Sequence, residues 1–143
     1  MRAALAEADA ALGTGDVPVG AVVLDASGTV IARGRNRREA DGDPTAHAEI
    51  VAIREAARSV GHWRLDGLTL VVTLEPCTMC AGAITAARLS RLVYGAADPR
   101  AGAVGSIWDV VRDQQLTAAP EVIGGVLAEQ SLNVIRRFFS ERR

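Results

Sequence analysis

The sequence predicts an α/β fold: a three-layer α/β/α sandwich in which helices cover both faces of a central mixed five-stranded sheet. Five short apolar runs alternate with amphipathic segments along the chain. The third run, Leu68 to Leu74, has little polar alternation, as expected of a strand covered on both faces. The 25 residues between Gly95 and Glu121 leave room for the crossover that a parallel strand pair requires. Residues 1–143 are read as one domain, large enough to bury roughly two-thirds of the unfolded surface, and no repeat, linker or low-complexity segment divides them.

Taken in order, Met1 to Leu12 places alanine or leucine at most positions and predicts a helix ended by Gly13. Val19 to Leu24 and Thr29 to Arg33 are strand-like, and Asp25-Ala26-Ser27-Gly28 between them is turn chemistry, so the two form a hairpin. Gly34 to Pro44 is polar and aperiodic. It brings Asn36 and the cluster Arg33, Arg35, Arg37 and Arg38 to the next helix, which Asp43 or Thr45 can cap and for which Pro44 suits the first position. Ile50, Ile53, Ala57 and Val60 repeat at helical spacing and carry that helix to about Ser59.

Gly61 to Gly67 connects to the third strand, after which Pro76 suits a helix start and Cys77 to Ala87 continues the helix. Arg91 to Gly95 is a fourth strand, running into the glycine-rich stretch Gly95 to Gly105. Ser106 to Asp113 reads as a short helix with Ile107, Val110 and Val111 on one side. Glu121 to Val126 is the last strand. Leu127 to Arg142 is a final amphipathic helix that buries Leu132, Ile135 and Phe139.

Composition narrows the setting. The alanine-rich start carries Glu7 and Asp9, which makes a poor signal-peptide core and is far too short to span a bilayer, so neither export nor a membrane is expected. With two cysteines there is no disulfide framework, and a reducing compartment, the cytoplasm, is the expected location. The net charge of −1 is unlike that of a uniformly basic nucleic-acid binder. Local charge differs, because Arg136, Arg137, Arg142 and Arg143 form a second arginine cluster near the end.

The chemistry concentrates in Leu74-Glu75-Pro76-Cys77-Thr78-Met79-Cys80. Cysteines three apart share a helix face, and a helix N-terminus favours their thiolates, so Cys77 and Cys80 form a metal half-site. Alone, a Cys-x-x-Cys is equally compatible with redox or structural use. His47 and His62 are the two available histidines. His62 lies past the far end of the helix that His47 starts, roughly 18 Å away at 1.5 Å per residue, and is read as a loop or packing residue. Three ligands, His47, Cys77 and Cys80, match a catalytic zinc site with a position left for water. Glu49 points about 200° away from His47 on a regular helix, beside the ion, where a general base belongs.

A His-x-Glu followed by Pro-Cys-x-x-Cys is the signature of zinc-dependent nucleobase deaminases. Beyond it, Asp16 to Val23, Gly34 to Arg37, Asp43 to Ile50, Val72 to Ile84, Gly95 to Asp98, Gly102 to Ser106 and Arg136 to Arg143 resemble the bacterial tRNA-specific adenosine deaminases, of the cytidine-deaminase-like fold. One departure stands before the last strand, where Thr117-Ala118-Ala119-Pro120 replaces the Asn-His pair of many relatives. The resemblance implies one zinc per chain, hydrolysis of adenosine to inosine at the tRNA wobble position, an anticodon stem-loop as partner, and a homodimer. It also implies substrate contacts at Asn36, Asp98, Val17, Pro18 and Ala48. Asn36 can equally end a strand, and Asp98 can equally serve the turn before Pro99. Of the adjacent Phe138 and Phe139, a helix buries one and leaves the other to stack on an unpaired base. The alternatives are a deaminase of free guanine, cytosine or cytidine, and a non-catalytic zinc-stabilised binding module.

Overall fold

The computed structural model describes residues 1–143. Five strands form one sheet: β1 (Gly20–Leu24), β2 (Val30–Arg35), β3 (Thr69–Leu74), β4 (Arg91–Ala96) and β5 (Glu121–Ile123), in the order β2-β1-β3-β4-β5. β1 is antiparallel to both β2 and β3, whereas β3, β4 and β5 run parallel. The helices are α1 (Arg2–Ala11), α2 (Arg38–Asp41), α3 (Ala48–Val60), α4 (Thr78–Ala86) and α5 (Ala128–Ser140). The mixed five-stranded sandwich predicted from the sequence is the one observed.

Both sheet faces are covered, and small residues set the distance of the cover. Alternation sends Ala21, Val23, Leu70, Val72 and Leu92 into the large core beneath α3 and α4, and Val22 and Val71 into a smaller cluster with Ala4 of α1. α1 buries Ala4, Ala8 and Ala11, and α3 buries Ala48, Ala52 and Ala56, so each presents a stripe of methyl groups to the sheet. Glycines receive them. A Cβ on Gly20 would collide with the backbone of Ala4 and Ala8, and one on Gly34 would meet the Ala48 carbonyl and sit 2.5 Å from the Ala52 nitrogen. Gly34 pairs with Ala21, the residue after Gly20, so the two helices approach from opposite faces.

The β1–β2 hairpin closes as its turn residues require. Asp25 Oδ1 accepts hydrogen bonds from the Ser27 amide at 2.9 Å and the Thr29 amide at 3.0 Å, while Gly28 takes a φ of 84°. β2 extends two residues beyond the predicted Arg33 because Gly20 and Ala21 offer partners to Arg35 and Gly34. α1 stops at Ala11 and tightens into a 3-10 turn over Leu12–Thr14, with Gly15 left-handed. Arg142 clamps that turn, donating from Nη2 to the Gly15 carbonyl at 3.0 Å and covering the Phe138 ring with its guanidinium.

Several expectations are corrected. Ser106 to Asp113 is not a helix: Val104 forms an isolated antiparallel bridge with Asp109, and of the three residues expected on one helix side Val111 is buried while Ile107 is exposed. The crossover from β4 to β5 therefore contains no helix. β5 ends at Ile123 rather than Val126, as the Gly125 and Val126 amides turn back to the carbonyls of Gly95 and Tyr94. In α5 the buried ring is Phe138, at 5 % exposure, and Phe139 is the exposed one at 46 %, because Ser131 and Phe138, seven residues apart, define the buried face. The short helix α2 has no periodic signal, since it buries none of its residues.

Gly34→Ala is expected to destabilise the fold by about 1–3 kcal/mol, the cost of overpacking. Gly13→Ala, which meets nothing within 4 Å, is expected to change stability by less than about 1 kcal/mol. Urea denaturation of the two variants checks both values.

Candidate active site

Topology brings the candidate residues to one edge of the sheet. Because β1 is antiparallel to β3, the start of β1 lies beside the end of β3; the ends of β2 and of parallel β4 fall on the same edge. Val17 and Pro18 precede β1, Asn36 follows β2, Cys77 follows β3 and Asp98 follows β4. In open α/β sheets this carboxyl edge is where ligands bind.

Two helix starts meet there. His47 and Cys77 are the N-cap residues of α3 and α4, both with extended backbone, and neither makes a side-chain capping hydrogen bond. The prolines thus stand outside the helices rather than at their first positions. Asp43 caps a separate turn by accepting from the Thr45 amide at 2.8 Å, and Pro76 leads into the Cys77 cap. Freed from capping, the two side chains turn to each other. His47 Nδ1 lies 3.6 Å from Cys77 Sγ and 3.5 Å from Cys80 Sγ, and the three donor atoms all fall within 4.8 Å of one another.

The spacing fits a metal. A tetrahedral zinc with Zn–S of about 2.3 Å and Zn–N of about 2.05 Å holds its nitrogen and sulfur ligands about 3.6 Å apart. The electrostatics agree. The Cys80 thiol donates to Cys77 and holds the Cys77 thiol down to about 3, a shift that His47 reinforces against burial. The same bond, with burial, pushes Cys80 up. His47 is raised, first by its bond to Cys77, against its own burial and helped by the negative charge of Glu49. One imidazole and two sulfurs poised to share negative charge form a donor set suited to a divalent cation, which takes both sulfurs as thiolates.

Glu49 is the second residue of α3, only 4 % exposed, and stands outside the donor cluster. Burial pushes its carboxyl up to about 7, against the pull of its backbone hydrogen bond and of His47. A carboxyl that exchanges its proton near neutral pH suits general acid–base work.

His47, Glu49 and Cys77 line a cavity of about 170 Å³ together with Val17, Asn36, Ala48 and Asp98. Pro18 is buried behind that wall and does not line it. Asn36 donates from Nδ2 to the Val17 carbonyl at 3.1 Å and accepts the Arg38 amide at 3.2 Å, so it also braces the wall. Asp98 Oδ1 accepts the Arg100 amide at 2.9 Å in a turn of its own. Phe139 lines an adjoining groove of about 690 Å³ that shares Val17, Leu74 and Asp98 with the cavity, whereas Phe138 lines neither. His62 lies apart, stacked on Trp63 and accepting the Arg64 amide. Thr117, Ala118 and Ala119 line a different cavity with Arg64 and Arg88.

Two buried carboxylates escaped the sequence reading. Burial works against the charge of Asp16, yet bonds from the Thr14 hydroxyl and the Glu39 and Ala40 amides, with Arg37 nearby, hold it below the usual carboxylate range and anchor the start of α2. Glu75, at 2 % exposure, lines the catalytic cavity. Its available signal was an acid closing the apolar run Leu70 to Leu74.

Comparison with known proteins points the same way. A tRNA-specific adenosine deaminase of Haemophilus influenzae is 48% identical over 143 residues, covering 100% of this chain and 83% of the relative. A structure from studies of A-to-I editing by tRNA:A34 deaminases at the wobble position of transfer RNA superposes with a TM-score of 0.89 at 47% identity, covering 94% of this chain and 96% of the other. A guanine deaminase from Nitrosomonas europaea gives 0.80 at 26% identity, covering 96% and 81%. The family model of the cytidine and deoxycytidylate deaminase zinc-binding region matches residues 1–96. That span holds His47, Glu49, Cys77 and Cys80, so the match and the geometry describe the same side chains, and the chain belongs to the cytidine and deoxycytidylate deaminase family.

Proposed function

We propose that this enzyme deaminates adenosine to inosine in RNA, at the wobble position of a transfer RNA presented as an anticodon stem-loop. The observation that carries the reading is the buried carboxylate of Glu49 set beside, and not within, a cluster of one nitrogen and two sulfurs at a cavity of about 170 Å³. The choice of substrate rests on likeness: the tRNA:A34 deaminase structure is 47% identical over 94% of this chain, whereas the guanine deaminase from Nitrosomonas europaea is 26% identical over 96% and one from Bacillus subtilis is 40% identical over only 67%.

His47, Cys77 and Cys80 hold the zinc, one per chain. Zinc held there supplies a hydroxide nucleophile at neutral pH by lowering the pKa of a water. Glu49 accepts the proton released and passes it to a ring nitrogen of the purine, which makes C6 electrophilic. After the oxygen has added to C6, Glu49 takes the proton left on that oxygen and delivers it to the amine as the C6–N bond breaks, so that water and adenosine become inosine and ammonia. Asn36, Asp98, Val17 and Ala48 enclose the base and its sugar. A cavity this narrow admits an extruded or unpaired base and not one in a duplex, which suits a loop nucleotide.

The adjoining groove favours RNA over a free base. Arg100, Arg136, Arg142 and Arg143 line it with Phe139, and arginines beside an exposed ring bind phosphates and stack on a flanking unpaired base. The local charge thus compensates for a net charge of −1.

α4 supports a homodimer. It carries no charged residue; it buries Cys80, Ala81, Ile84 and Thr85 while Met79 and Ala86 remain exposed. A helix apolar on every side is ordinarily buried all round, and a second copy of the chain would cover the free face. The proposed setting is the cytoplasm, where thiolates stay reduced; no helix is long and apolar enough to cross a membrane.

Glu49→Gln is expected to retain about one zinc per chain, since Glu49 is not a ligand, and to lose about 10²–10⁴-fold in kcat; metal analysis with an ammonia-release assay checks this, and loss of zinc contradicts the role. Offered an anticodon stem-loop with adenosine at the wobble position beside free adenosine, cytidine and guanine, the enzyme is expected to turn over the stem-loop alone. Turnover of a free base instead reverses the substrate. Met79→Arg is expected to shift a dimer to monomer in light scattering; an unaltered mass places the interface elsewhere.

A further inference from the structure

We propose that Glu75 is a positioning residue, whose buried carboxylate fixes the segment from Asp98 to Ser106 as a wall of the catalytic cavity and thereby sets substrate affinity. The inference rests on the deaminase reading of that cavity and adds a residue that takes no part in the metal cluster or in proton transfer.

Glu75 follows β3 and lies 2 % exposed, yet no arginine or histidine pairs with it. Four donors from one segment satisfy it instead. Oε1 accepts the Val104 and Ser106 amides, each at 3.0 Å, and Oε2 accepts the Asp98 amide at 2.9 Å and the Ser106 hydroxyl. A carboxylate offers about four lone-pair sites, so its capacity is filled. A buried charge without a counter-ion is costly unless every site is bonded, and the segment is therefore held to one arrangement.

The packing is equally specific. A Cβ on Gly102 would lie 2.5 Å from Glu75 Cδ, from Oε2 and from the Asp98 carbonyl. The backbone completes the tie: the Glu75 amide donates to Ala96 at 2.8 Å and the Ala103 amide to Pro76 at 2.8 Å. The strand end that leads to Cys77 is thus locked to the strand end that leads to Asp98.

This differs from a loop staple elsewhere on the surface because the bonded segment is the wall itself. Glu75, Asp98 and Ala101 all line the cavity that holds His47 and Glu49. Asp98 is bonded to Glu75 through its amide, and Asp98 is one of the residues that line the cavity. An acceptor bonded in this way transmits its position to the substrate without touching the reacting atoms.

Glu75→Gln places an NH₂ against donors that need an acceptor. In the zinc-loaded enzyme it is expected to keep about one zinc per chain and a kcat within about threefold of the parent, to raise KM for the stem-loop about tenfold or more, as loss of uniform binding does, and to speed hydrogen exchange of the Asp98, Val104 and Ser106 amides. Ser106→Ala, which removes a single donor, is expected to give a smaller rise in KM with kcat unchanged, and it decides the matter if the glutamine variant does not fold. Unchanged KM in the folded variants, unchanged amide exchange, or loss of zinc from Glu75→Gln each overturns the proposal. A parent enzyme that fails to turn over the stem-loop rejects the substrate reading, and amide exchange in Glu75→Gln, measured without substrate, still decides the role of Glu75.

Discussion

The chemistry of this molecule depends on the meeting of two helix N-termini at one edge of the sheet. His47 and Cys77 occupy cap positions, where a side chain ordinarily turns inward to bond the first free amides. Here both face each other across 3.6 Å. An extended backbone at the cap, followed by a helical turn, aims Cys80 into the same space from α4 and leaves Glu49 beside it from α3. The unsatisfied amides and the helix dipole at each start favour the anionic groups that gather there.

That meeting depends on α3 lying so close to β2 that no Cβ fits at Gly34, and the alanine stripe of α3 against that glycine is what permits it. Larger residues at Ala48 or Ala52 would lift the helix start, and with it His47 and Glu49, away from Cys77. Core composition and site geometry are therefore a single constraint. Ala48 serves both, being fully buried against the sheet while its neighbours on either side carry the imidazole and the carboxylate.

Around the donors, buried carboxylates rather than periodic structure shape the walls. Asp16 gathers the start of α2 and Glu75 gathers the segment after β4, each by accepting backbone amides from residues distant in sequence. A carboxylate used in this way organises irregular backbone that has no ladder of its own. Where a helix was expected from Ser106 to Asp113, the backbone bonds back to the segment that Glu75 holds: the Ile107 and Trp108 amides donate to the Gly102 carbonyl and the Val110 amide to that of Ala103.

Local periodicity and ligand chemistry were legible in the chain by itself. Five strands, the hairpin, four of the five helices and the set His47, Glu49, Cys77 and Cys80 follow from apolar spacing, turn residues and donor types within short windows, because such patterns act over a few residues. The tertiary structure alone decided which phenylalanine of α5 is buried, where β2 and β5 end, that Pro18 stands behind the cavity wall, and that Glu75 and Asp16 are structural acceptors. Each of those outcomes is set by partners far apart in sequence, 23 to 31 residues for the bonds of Glu75 and 23 to 24 for those from Asp16 to α2. No local pattern encodes such a partner, since it exists only once the strands have brought their ends to one edge.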